Sequence, residues 1–240
     1  PQCTTPNVNA GADKVLTCSN TTVQLAGSSS TAGATFGWTG PGIVSGQTTA
    51  TPTVNAVGSY ILTVTSGSCT AKDTVVVTSN TSLPDVKAGA GATLTCAAAT
   101  VTLNGSSSTQ GVNYSWNGPG ILSGNTSPSA IVNAPGTYTL TVSNPGNGCT
   151  ASDQVIIGTN YTTPDAEAGP GNALTCTILE VSLNGSTSVQ GAGFNWTTSG
   201  AGNIVSGGNT ATPLINGIGK YYLTVTDPTS GCVATDSVLI

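Results

Sequence analysis

The chain has no histidine and no arginine, and its charge is limited to four lysines and nine carboxylates among 240 residues. Without histidine the commonest general base is missing. No carboxylate pair recurs and no serine stands beside a base, so neither acid–base nor nucleophilic catalysis has its usual residues. A formal net charge of −5 with no arginine leaves no basic footprint for nucleic acid and no polybasic membrane patch. No apolar run reaches the 18 residues that a membrane-spanning helix needs, which argues against direct membrane insertion. No window has helical periodicity with caps, so helices are not expected. Methionine is absent and aromatics make up 5% of the chain, so each aromatic residue is conspicuous.

What is abundant is glycine, threonine, serine and asparagine around short alternating apolar runs, and the pattern repeats. Cys18, Cys96 and Cys176 each precede a tryptophan, Trp38, Trp116 and Trp196, by 20 residues. Each tryptophan is followed by an alternating strand: Tyr60, Leu62 and Val64; Tyr138, Leu140 and Val142; Tyr221, Leu223 and Val225. A second cysteine then closes each copy at Cys69, Cys149 and Cys232. The period divides the chain into a joint at 1–5 and three repeats at 6–83, 84–163 and 164–240, the last strand of the third being cut short. Short Thr/Ser-Pro segments between repeats read as stiff joints. About seven short strands per repeat, punctuated by Gly/Pro turns, predict an all-β fold of three tandem two-sheet antiparallel sandwiches.

Six of the seven cysteines occupy equivalent places, so the natural pairing is one disulfide per repeat: Cys18–Cys69, Cys96–Cys149 and Cys176–Cys232. Disulfides imply an oxidising compartment. On this reading a bridge between repeats would contradict the architecture. Zinc is the weaker alternative, because two thiolates per repeat without histidine leave tetrahedral coordination unfilled. Cys3 has no equivalent and is the candidate for an intermolecular disulfide. Trp38, Trp116, Trp196, Tyr60, Tyr138 and Tyr221 read as core residues and not as a sugar-stacking platform. Asp73, Asp153 and Asp236, each four residues after a cysteine, read as local turn or cap residues. Asp85, Asp165 and Glu167 at the joints are weak candidates for an interdomain metal ion; no cofactor is expected. The four lysines fall at no common position, which argues against a lysine–asparagine crosslink.

The order of these features resembles the immunoglobulin-like superfamily and, within it, the PKD-type repeats of bacterial surface proteins. The resemblance rests on Ala88-Gly89, Val101-x-Leu103-x-Gly105-Ser106, Trp116, Gly136-x-Tyr138-x-Leu140-x-Val142 and Cys149-x4-Asp153. It covers all three repeats and is nearest to the cysteine-bearing repeats of long Bacteroidota adhesins used in gliding motility and exported by the type IX route. The Trp-Asp-Phe-Gly-Asp-Gly signature of many PKD domains is absent. The first cysteine also precedes the second strand, so the bond is expected to tie the first strand region to the last hairpin. The resemblance implies a non-enzymatic, extracellular, cell-surface stalk, adhesin or filament segment. Its partners would be neighbouring repeats or subunits and surface glycans, and Thr74 and Ser237 would be O-glycosylation sites. The rival is a carbohydrate- or partner-binding module accompanying a secreted enzyme.

Overall fold

A computed structural model describes residues 4–240, all of them strand, turn or irregular, with no helix. Cys3 lies outside the described residues. The first repeat contains β1 (Lys14–Thr17), β2 (Val23–Gln24), β3 (Thr35–Thr39), β4 (Ile43–Ser45), β5 (Thr53–Val54), β6 (Gly58–Ser66) and β7 (Cys69–Asn80). The second contains β8 (Ala92–Thr95), β9 (Val101–Asn104), β10 (Asn113–Asn117), β11 (Ile121–Ser123), β12 (Ser129–Val132), β13 (Gly136–Ser143) and β14 (Thr150–Asn160). The third has β15 (Val181–Ser182), β16 (Gly193–Ser199), β17 (Ile204–Ser206), β18 (Leu214–Ile215), β19 (Lys220–Thr226) and β20 (Val233–Leu239). Each repeat is an immunoglobulin-like sandwich of two sheets, in strand order β1-β7-β6-β3 and β2-β5-β4 for the first.

Alternation builds each core. In β6, β13 and β19 the inward residues are the three Tyr/Leu/Val sets, all fully buried, while their neighbours face out. Trp38, Trp116 and Trp196 fill the space between the sheets at 1%, 4% and 4% exposure. Burying a group of that size contributes about 5 kcal/mol gross. Their indole N–H groups donate to the carbonyls of Thr49, Pro128 and Thr210 at 3.0, 3.2 and 3.0 Å. The tyrosine hydroxyls donate to carbonyls four residues upstream, at Ala56, Ala134 and Gly217. The fit is close enough to demand glycine beneath the indole: a Cβ on Gly105 would lie 2.9 Å from the Trp116 ring and 2.4 Å from Leu140.

Two joining devices recur. The carboxylates of Asp73, Asp153 and Asp236 each accept the backbone N–H of Ala10, Ala88 or Ala168 at 2.7 Å, clamping the last strand to the entry segment across more than 60 residues. They are therefore long-range clamps, where the sequence suggested local caps. At the entry, the Asp85 carboxylate accepts the backbone N–H and the hydroxyl of Ser108, both at 2.9 Å, and Asp165 does the same with Ser188 at 2.9 and 2.7 Å. Asn7 does this for the first repeat, accepting from Ser30 N–H at 2.6 Å. A neutral amide takes the same place there as the carboxylates, so these positions tie down a turn inside their own repeat. Glu167 bonds through its backbone to Ser186. Among the described residues no cluster of three His, Cys, Asp or Glu residues could hold a metal ion.

The strand that opens a repeat pairs in parallel with the far end of its last strand: Thr17 lies beside Asn80 in β7, and Thr95 beside Asn160 in β14. In the third repeat, residues 172–175 form no strand. The last four residues of β7 and β14, which pair with β1 and β8, have no counterpart in β20, which ends at Leu239.

Candidate functional site: the junctions between repeats

The parallel register decides where the cysteines can reach. Cys18 follows Thr17, which sits beside Asn80 at the exit end of the first sandwich, while Cys69 begins the same β7 at the other end. A strand of 12 residues separates those levels by about 35 Å, against the 4.4–6.8 Å between Cα atoms that a disulfide requires. The second repeat has the same layout, with Cys96 at its exit end and Cys149 just before β14. The first cysteine of a repeat thus sits at its exit pole and the second at its entry pole. They meet only across a junction.

The bonds observed are Cys18–Cys149 and Cys96–Cys232, with Cα–Cα separations of 5.0 and 4.9 Å. This corrects the pairing expected from equivalent placement. Cys149 and Cys232 are each joined to the first-loop cysteine of the preceding repeat, across 131 and 136 residues of chain. The expected Cys18–Cys69, Cys96–Cys149 and Cys176–Cys232 bonds do not form. Cys69 is disulfide-bonded too, whereas Cys176 is free and exposed. The expectation that the bond ties a first strand region to a last hairpin holds, but between successive repeats.

Around the first bond, a hairpin tip of the second repeat rests on the first. Ser19 N–H donates to the Asn147 carbonyl at 3.3 Å, and the Asn147 side chain donates to the Ser82 carbonyl at 2.9 Å and to Asn80 Oδ1 at 3.1 Å. Asn147 is buried, and its Oδ1 in turn accepts the Cys149 N–H at 3.0 Å. The second junction reproduces the plan with different side chains. Ala97 N–H donates to the Ser230 carbonyl at 3.1 Å, and the Ser230 hydroxyl donates to the Thr162 carbonyl at 3.2 Å. Ser230 is fully buried and also bonds the Asp227 carboxylate at 2.9 Å. Hydrogen bonds from Thr229 and Ser230 hold the Asp227 carboxyl below its ordinary range.

Both tips carry a glycine before the cysteine, and the contact requires it. Gly148 and Gly231 have φ of +70° and +65°. A Cβ on either would lie 2.5 Å from the Cβ of Ser19 or Ala97. The backbone of one repeat thus lies against the loop of the other, bringing the two sulfurs within bonding distance.

The sequence did not bring Asn147, Gly148, Ser230 and Gly231 together with Ser19, Ser82, Ala97 and Thr162. One signal was present. The first hairpin has two residues between its paired strand ends, Gly67 and Ser68, whereas the others run from Asn144 to Cys149 and from Asp227 to Cys232. Only the longer hairpins lie at a junction between described repeats. The third repeat's departure at 197–203 lengthens β16 to Ser199 and puts Asn203 N–H on the Tyr221 hydroxyl at 2.9 Å, away from the junction. Of the proposed glycosylation residues, Thr74 is exposed and Ser237 half-buried.

No family model matches the chain, and no curated protein matches it. Among solved structures, a three-immunoglobulin structure of titin domains I67–I69 aligns over 99% of both chains at 13% identity, with a TM-score of 0.39. The three N-terminal domains of the Highly Immunogenic Outer Capsid protein of bacteriophage RB49 align over 98% of this chain and 97% of theirs, at 15% identity and a TM-score of 0.37. Sidekick-1 immunoglobulin domains 1–5 align over 100% of this chain and 59% of theirs, at 10% identity and a TM-score of 0.37.

Proposed function

We propose that the chain is a length of an extracellular stalk, adhesin or filament whose work is mechanical and not catalytic, holding successive sandwiches at fixed angles. The observation that carries this reading is the placement of the bonds at the junctions. The segment from Asn80 to Pro84 and the Cys18–Cys149 bond run side by side between the first two repeats. A pull on that junction is shared by two covalent routes, and the hairpin tip cannot swing away from the loop it rests on. Disulfides fit an oxidising, extracellular setting. Within this reading the resemblance points to a cell-surface adhesin of the Bacteroidota kind, serving adhesion or surface motility, with like repeats as its structural partners and surface glycans as targets elsewhere in the assembly. None of the three tryptophans offers a ring face to a sugar, so the rival binding-module reading would rest on the sandwich loops. Small-angle scattering of the oxidised and the reduced chain tests the proposal. A single narrow distribution of inter-repeat angles that broadens on reduction is the expected result. Equal breadth in both states would remove the mechanical reading.

A further inference from the structure

Cys18 and Cys96 hold equivalent places in the first two repeats, and each is bonded to the hairpin cysteine of the repeat that follows. Cys176 holds the same place in the third repeat and is the free cysteine among the described residues. The turn that presents the sulfur is already built. Thr175 N–H donates to the Ile178 carbonyl at 2.9 Å, as Thr17 does to Asn20 and Thr95 to Ala98, both also at 2.9 Å. The Thr175 hydroxyl oxygen accepts the Ile178 N–H at 3.0 Å, as Thr17 and Thr95 accept from Asn20 and Ala98.

The amide after the cysteine has a defined task at the other two junctions, where Ser19 and Ala97 donate to the carbonyls of Asn147 and Ser230. Its counterpart, Thr177 N–H, reaches the Thr175 hydroxyl at 3.3 Å in an exposed setting. Beside it, Ile178 and Leu179 are 49% and 68% exposed, at places that Asn20 and Thr21 fill in the first repeat and Ala98 and Ala99 in the second. The third loop thus has the backbone of the two engaged loops, an unbonded sulfur and an apolar flank.

We propose that Cys176 is the receiving half of a further junction, taking the hairpin thiol of a fourth sandwich of the same kind that follows in the same polypeptide. A second folded copy of this chain is a poor occupant, because its Cys69, Cys149 and Cys232 are already bonded. The bond forms by thiol–disulfide exchange. The hairpin thiolate first attacks a small-molecule disulfide such as glutathione disulfide, releasing one small thiolate and leaving the hairpin sulfur in a mixed disulfide, and the Cys176 thiolate then attacks that hairpin sulfur. A new Sγ–Sγ bond replaces the mixed one, and the small thiolate leaves with the electron pair.

The test extends the full chain with a copy of its own residues 158–240, since Ile240 stands where Ile157 stands and Gly158 continues into the joint. Peptide mapping without reduction should link Cys176 to the copy's hairpin cysteine and leave the copy's own first-loop cysteine alkylatable. Replacing the copy's hairpin cysteine by serine should return Cys176 to full alkylation while Cys18–Cys149 and Cys96–Cys232 stay intact, which separates a missing partner from a misfolded chain. A Cys176 that stays alkylatable in the extended chain while those two bonds are intact, or that pairs with Cys176 of another molecule, would overturn the proposal. Either result would leave the existing junctions, and the stalk reading built on them, as they are.

Discussion

Replacing Cys18 by serine should destabilise a repeat in which nothing has been changed. When the second repeat unfolds with the first intact, residues 84–149 become a loop pinned to the first repeat at both ends, by the joint and by Cys18–Cys149. Closing a loop of about 65 residues contributes up to about 4 kcal/mol on the chain-entropy model. The same bond constrains the first repeat when that one unfolds, so a single crosslink serves two neighbours. Amide exchange reads each repeat separately. In the Cys18→Ser chain, β13 of the second repeat should exchange up to roughly a thousandfold faster, β6 of the first should also accelerate, and β19 of the third should hold. Thiol mapping of the same sample should find Cys149 and Cys176 free, excluding a rearranged bond. Unchanged exchange in β13 alongside faster exchange in β6 would confine the constraint to the first repeat and refute the junction account.

Three further outcomes follow from the geometry. Gly148→Val forces a Cβ into Ser19 at a left-handed φ, so Cys18 and Cys149 should stay alkylatable after refolding while Cys96 and Cys232 bond normally. Trp116→Ala should cost the second repeat about 3–5 kcal/mol by calorimetry, and an unchanged melt would show that the indole is not a core group. Acid should weaken the repeats unequally: Asp165 is pulled down to about 2 by Ser188, and hydrogen bonds hold Asp85, Asp153 and Asp236 low as well. A depressed carboxyl stabilises the fold above its ordinary value near 4, and that contribution is lost as pH falls toward 2. Asp73 is held low in the first repeat in the same way, but with Asn7 in place of the joint acid that repeat should lose least in a pH-dependent melt, and equal loss in all three would count against a contribution from the Asp85 and Asp165 carboxylates.

Period two was enough to place the core. Tyr138, Leu140 and Val142 fall on one face of any strand that contains them, and a tryptophan 20 residues after each first cysteine can only recur if one sandwich recurs. The clamp made by Asp153 was half legible: its constant distance from the hairpin cysteine marked it as structural, but its partner Ala88 lies 65 residues away, where spacing carries no information. The partner of Asp85 was hidden for a related reason. A carboxylate at a joint faces either a neighbouring repeat or its own repeat's turn, and only the fold shows that Ser108 claims it.

The cysteine pairing shows where the inference from equivalence stops. Equivalent placement requires only that every repeat treat its two cysteines alike, and bonds within repeats and bonds between successive repeats satisfy that equally. What separates them is the parallel pairing of β1 with the far end of β7, which sends the first cysteine to the exit pole while the hairpin keeps the second at the entry pole. A chain of such units is self-consistent only if each hairpin reaches back one repeat, so bonds across the junctions belong with this sandwich and do not contradict it. The same reasoning makes the first-loop cysteine of any such unit dependent on a following repeat. It is why Cys176 is the informative position here: it has the turn and the unbonded sulfur that Cys18 and Cys96 would have if their hairpins were taken away.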